Sequence, residues 1–275
     1  MAYAAIMVSV ESDAASDRRL AVAHRLAARF EATLIGLAAE APRAMLALAS
    51  GTAAENEAEG QEHRRVTAAL QAAERRFHAA LRPEDAARAE WRAFAENPAR
   101  ALVREARSAD LLVIGTGGRL DSGDVLLTAG RPVLVVPAAV NTLQARHIVI
   151  GWRDTPQSRR AVTDALPLLR RAESVRVLAV ATPDDAAAAG GAGSARAGTE
   201  AVVAHLARHG VAAASGLRQS PHASVPEALI AAAAEHDADL IVAGAYGHAR
   251  ALEWKFGGVT RALLGQAPVC CLLSH

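Results

Sequence analysis

Cysteine is nearly absent from this 275-residue chain: Cys270 and Cys271 stand side by side, and there are no others. Two adjacent cysteines supply neither a disulfide framework nor a thiolate metal cluster. On a strand they point to opposite faces and read as small buried hydrophobes. Net charge is lacking too, since 30 Lys and Arg against 29 Asp and Glu leave +1. That balance removes the electrostatic case for DNA, RNA or an anionic membrane as partner. No apolar run approaches the ~18 residues a membrane helix needs. The first ten residues lack a basic n-region and read as a strand rather than a secretion signal. A soluble, cytoplasmic protein is the expectation. Lysine occurs once, as Lys255, and only nine residues are aromatic (3 Trp, 2 Tyr, 4 Phe).

Hydrophobic residues make up 52% of the chain and charged ones 21%, enough to bury one large core or two ordinary ones. The apolar runs come in two sets. Asp110-Leu-Leu-Val-Ile-Gly115 and Arg131-Pro-Val-Leu-Val-Val-Pro137 are answered by Asp239-Leu-Ile-Val-Ala-Gly244 and Ala267-Pro-Val-Cys-Cys-Leu-Leu273. Each Asp-Leu run follows a helical pattern opening at a proline, Pro98 or Pro226, where the first turn does not need the missing N–H. Each half also opens alike, with Ile6–Val10 and Ile148–Trp152. The chain is an internal repeat.

Short apolar runs alternating with helical periods predict parallel βαβ units with helices on both faces. In the second half, strands are predicted near 147–152, 174–181, 211–218, 239–244 and 268–273. Helices are predicted near 158–171, 196–209, 225–236 and 258–265. Residues 137–146 read as a linker, 184–198 as a mobile insertion and 40–60 as an irregular, partly ordered region. The domains are then 1–140 and 141–275.

The most informative stretch is Gly244-Ala-Tyr-Gly247, followed after nine residues by Gly257-Gly258-Val259-Thr260. It connects an apparent buried strand to a helix. Glycines there let backbone approach a ligand, and a helix N-terminus offers free N–H groups to an anion. The first half keeps Gly115-Thr-Gly-Gly118, but Gly118 to Gly123 is five residues where Gly247 to Gly257 is ten. A phosphate or nucleotide site in the second half alone is the simplest reading. A plain flexible connector is the other.

Two α/β repeats, each ending strand–GxxG–loop–helix–Pro-Val-strand, resemble the universal stress protein family in its tandem-domain form. The resemblance implies, for each Rossmann-like domain, an open five-stranded parallel sheet ordered 3-2-1-4-5. It implies a ligand in the crevice where the first and fourth strands diverge. It places phosphates on Gly244, Gly247, His248, Gly257, Gly258, Val259 and Thr260. Adenine and ribose lie near the ends of the first two strands, at Trp152, Arg153, Asp154 and Val180. Gly258 stands where that branch usually has Ser or Thr, and Arg153 where it often has an acid, with Asp154 one residue later. The first domain is a degenerate copy with a shortened loop. The final strands, Val133–Val136 and Val269–Leu272, are implied to pair within the chain as a pseudo-dimer, with association of two chains left open.

Three functions follow. The first is a stress-response regulator that binds ATP, ADP or AMP, with or without Mg²⁺, and signals to a protein partner. The second is a nucleotide-free interaction scaffold. The third is a slow ATP hydrolase, for which no Walker lysine–Ser/Thr pair is present. No nucleophile–base–orienter arrangement or metal motif is evident, so no catalytic residue is assigned. Tyr246, Trp254 and Phe256 read either as a flap over a ligand or as anchors of the loop. Trp152 reads either as a base-stacking ring or as packing, and His248 as a phosphate contact or a solvated side chain. Arg159-Arg160 and Arg170-Arg171 read as solvated helix faces.

Overall fold

Short aliphatic runs and alanine-rich segments alternate as strands and helices in the computed structural model, which describes residues 2–43, 53–118, 120–181, 191–219, 224–245 and 258–275. The first half runs β1 (Ala5–Ser9), α1 (Ala14–Phe30), β2 (Thr33–Ala39), α2 (Ala53–Ala80), β3 (Ala89–Phe94), α3 (Pro98–Glu105), β4 (Leu111–Gly115), α4 (Ser122–Thr128) and β5 (Val133–Val136). The second runs β6 (His147–Trp152), α5 (Pro156–Leu169), β7 (Ser174–Ala181), α6 (Gly191–Arg208), β8 (Ala214–Gln219), α7 (Val225–Glu235), β9 (Leu240–Gly244), α8 (Gly258–Gln266) and β10 (Cys270–Ser274). All ten strands join in one sheet, ordered β3-β2-β1-β4-β5-β10-β9-β6-β7-β8. Each half is parallel and ordered 3-2-1-4-5. The halves meet antiparallel, with Val133, Leu134 and Val135 opposite Leu273, Leu272 and Cys271.

Strand alternation sorts side chains onto two faces. Ile6, Val8, Leu134, Ile148, Ile150 and Leu272 share one buried cluster; Met7, Leu112, Val135, Val149, Ile241 and Cys271 share the other. Both clusters draw on both halves, so each layer of core runs through the β5–β10 seam. Cys270 and Cys271 fall on opposite faces. Burial pushes the Cys270 thiol up to about 12 and raises that of Cys271 further.

The Asp of each Asp-Leu run has a physical task. Asp110 Oδ2 accepts from the Ala4 and Ala5 N–H groups at 2.8 and 3.1 Å. Asp239 Oδ2 accepts from Gln144 and Ala145 at 2.8 and 2.7 Å. Each carboxylate therefore pins the entry of the neighbouring strand. Ala145, at φ 50°, is held there in a left-handed conformation that alanine otherwise avoids.

The segment read as a linker lies along α1. Arg18 and Arg25 donate to the carbonyls of Ala138 and Asn141 at 2.6 and 3.1 Å, and Arg29 donates to that of Gln144. Arg171 is not merely solvated: its guanidinium stacks 4.5 Å from the Phe30 ring and donates to the Arg29 carbonyl at 2.6 Å. These contacts add to the strand seam in joining the halves.

Four boundaries differ from the sequence reading. Helix α6 begins at Gly191, so 191–198 are helical rather than part of an insertion. Thr199 is fully buried, and Gly198 lets the helix lie against Trp152, an added Cβ falling 3.1 Å from the indole Nε1. Residues 53–60 belong to α2, while Met45–Leu48 lie outside the described residues. β8 starts at Ala214 because the Val211 N–H closes the end of α6 on the Leu206 carbonyl. β10 starts at Cys270, after Pro268, which has no N–H for the ladder. Among the described residues no helix is long and apolar enough to cross a membrane.

Candidate functional site

In each half the chain leaves two adjacent parallel strands in opposite directions, β1 and β4 in the first and β6 and β9 in the second. That divergence opens a crevice at the strands' carboxyl ends. Ile6 pairs with Leu111 and Ile148 with Leu240, so residues 142 apart in β1–α1 and β6–α5 occupy like positions, as do residues 129 apart in β4 and β9. The two crevices can be compared residue by residue.

The first-half crevice is filled by its own chain. Arg19, on the buried stripe of α1, is 3% exposed. Its Nε donates to the Ser9 carbonyl at 2.7 Å and its Nη2 to Ser16 Oγ at 2.8 Å. Glu11 lies 3.6 Å from the guanidinium. Burial lowers the Arg19 pKa, while Glu11 and Asp13 pull it back up, as expected of a buried charge kept by a partner. A Cβ on Gly115 would lie 2.0 Å from Arg19 Nη1. One on Gly118, at φ +86°, would lie 2.7 Å from Glu11 Oε2. These glycines leave room for the Arg19 and Glu11 side chains.

Among the described residues the second half has no counterpart of that ion pair. Ala161 stands in the place of Arg19 and is packed in the core. Arg153 stands in the place of Glu11; it is exposed and is engaged within the chain. Thr155 caps α5 by accepting from the Ser158 N–H at 3.2 Å. Gly244 closes β9, and a Cβ there would sit 2.5 Å from Ser158 N and 2.7 Å from the Gln157 carbonyl carbon. Gly244 is therefore required by close approach of the first turn of α5. Gly258 opens α8, and an added Cβ would meet nothing within 4 Å among the described residues. Val259 packs against the core on the α7 side, and Thr260, 3% exposed, is engaged within the chain.

On the base side, Trp152 packs against Gly198 of α6 and the adjoining core. The exposed Asp154 carboxylate is turned to Arg159, 2.6 Å away in the first turn of α5. Val180 is half-buried against the core, opposite Arg218 of β8. Gly247, His248 and Gly257, with Tyr246, Trp254, Lys255 and Phe256, lie outside the described residues. The structure thus brings Gly244, Gly258, Val259, Thr260, Trp152, Arg153 and Asp154 to the ends of adjacent elements around one crevice. Among the described residues no group of three or more His, Cys, Asp or Glu could hold a metal ion.

Arg19 and Glu11 were missed by the sequence reading. The available signal was an arginine on an otherwise small or apolar helix stripe: Ser16, Arg19, Leu20, Ala23, Ala27 and Phe30 are all buried.

Among curated proteins, no match is found. A universal stress protein from Archaeoglobus fulgidus DSM 4304 superposes with TM-score 0.69 at 14% identity, covering 98% of this chain and 95% of that one. A functionally unknown protein from Pseudomonas aeruginosa PAO1 superposes with TM-score 0.59 at 14% identity, covering 99% and 92%. A universal stress protein solved in complex with cAMP is 24% identical and covers 50% of this chain and 100% of that one, with TM-score 0.34. The sequence model described as the universal stress protein family matches residues 144–275. The fold is shared over nearly the full length, and through residues 144–275 the chain belongs to the universal stress protein family.

Proposed function

We propose that the second half, residues 141–275, is a nucleotide-binding domain and the first, residues 1–140, a ligand-free copy of it. The protein is then a stress-response regulator that reports adenine nucleotide to a protein partner. One observation carries the reading. The first crevice is occupied by Arg19 and Glu11, whereas the second has Ala161 and Arg153 at those positions. Helix α8 presents its N-terminus there through Gly258, beside which an added Cβ meets open space among the described residues. The positive end of the helix dipole and the backbone at such an end favour phosphate oxygens.

The residues fit a triphosphate better than they fit the base. Arg153 adds a cation where the family often has an acid, and Asp154 is held by Arg159. Binding energy on this account comes mainly from the phosphates, so ATP should exceed AMP in affinity and adenosine should bind weakly. Titration calorimetry across ATP, ADP, AMP and adenosine tests the order; equal affinities for ATP and adenosine would contradict it.

A nucleotide-free scaffold is the second reading, favoured by Trp152 being packed against Gly198 rather than standing open. Nucleotide carried through purification, detected by mass spectrometry of the native protein, would count against it.

A further inference from the structure

Away from both crevices, an open cleft of about 550 Å³ lies among α1, the 141–146 segment and the residues after α5. Arg25, Arg29, Arg146 and Arg171 line it, with Glu173 as the one carboxylate among the described lining residues. We propose that this arginine cleft is a second anion site, specific for a chain of two or more phosphates, and that its ligand bridges the two halves.

The charge is held together by the fold. Arg171 donates to the backbone carbonyl of Arg29 at 2.6 Å and stacks on Phe30. Arg25 donates to the Asn141 carbonyl at 3.1 Å and Arg29 to that of Gln144. These acceptors are neutral, so they fix the guanidiniums without cancelling their charge. Asp239, which acts on Arg29 from outside the lining, already accepts two backbone N–H groups. Glu173 is engaged by Arg146 at 2.5 Å. The like charges are felt: the Arg29 pKa is lowered by burial first and by Arg171 second, against a weaker pull from Asp239.

Guanidinium forks match phosphate oxygens two at a time, and four of them outnumber what one phosphate can engage. A linear polyphosphate satisfies several. Because α1 belongs to one half and Arg146 and Arg171 to the other, occupancy stabilises their docking. The proposal does not depend on nucleotide binding in the β6–β9 crevice.

Calorimetric titration of the intact protein with inorganic tripolyphosphate, without Mg²⁺ and at low salt, tests it. The expected result is saturable binding with a sub-millimolar Kd that persists when the β6–β9 crevice is plugged. The paired substitution R25Q/R146Q should weaken it about tenfold or more, as loss of charge-assisted bonds requires. E173Q should tighten it several-fold. The variant R153E/A161R, which places the first half's plug in the other crevice, should leave it unchanged. Circular dichroism establishes that each variant is folded. No binding at millimolar tripolyphosphate overturns the proposal. So does a Kd insensitive to both R25Q/R146Q and E173Q, or binding lost in folded R153E/A161R.

Discussion

Gly244 and Gly258 look alike in a sequence, yet they answer to different constraints. An added Cβ at Gly244 meets the backbone of α5, which cannot swing away as a side chain would. Gly244→Ala should therefore cost about 1–3 kcal/mol by overpacking, seen as a lower midpoint in urea unfolding. Gly258→Ser meets open space among the described residues and restores a hydroxyl donor at the start of α8. It should leave stability within about 0.5 kcal/mol and tighten ATP several-fold by calorimetry. Asp164 supplies a pH test. Burial raises its pKa, with Ser274, Arg160 and Arg131 opposing. A carboxyl that binds its proton more tightly when folded makes stability fall as pH rises from its unfolded value through its folded one. Asp164→Asn should raise the melting temperature at pH 7 and leave it unchanged near pH 2. An equal shift at both pH values would contradict that cause.

Elements were largely legible in the sequence, because aliphatic runs of period two and alanine-rich runs of helical period leave few alternatives. Proline at Pro98 and Pro226 marked helix starts, whereas Pro156, which opens α5, was not read as one. The misread boundaries were decided by tertiary contacts. Composition suggested that 191–198 would be mobile, but Gly198 against Trp152 and the burial of Thr199 make it helix. The site was legible only in part. Glycine spacing pointed to the β9–α8 connection, but not to Arg19 filling the other crevice. The position of Arg19 on an otherwise small or apolar helix stripe marked it as buried, but nothing local named Glu11, eight residues earlier, as its partner. The Asp-Leu repeat was visible, and its cause was not. Asp239→Ala removes one exposed and one part-buried acceptor contact and the support for Ala145 at positive φ, at a cost of about 2 kcal/mol. Asp239→Asn, which keeps an acceptor, should recover part of that in the same urea unfolding experiment.

At the scale of the whole molecule, the halves are one sheet with two shared core layers. β5 and β10 bury Leu134, Val135, Cys271 and Leu272 at the seam, and α1 holds the connecting segment. Scanning calorimetry should accordingly give one cooperative transition; two resolved transitions would mean that the seam does not couple the halves. The duplicated architecture holds two crevices, and among the described residues the Arg19–Glu11 pair of the first has no counterpart in the second. The most direct test of that claim is calorimetric titration of ATP·Mg²⁺ into the wild-type chain and into R153E/A161R, with folding checked by circular dichroism. The account expects one nucleotide per chain in the wild type and none in the folded variant. Two nucleotides per chain, no binding in the wild type, or binding undiminished in the folded variant would contradict it.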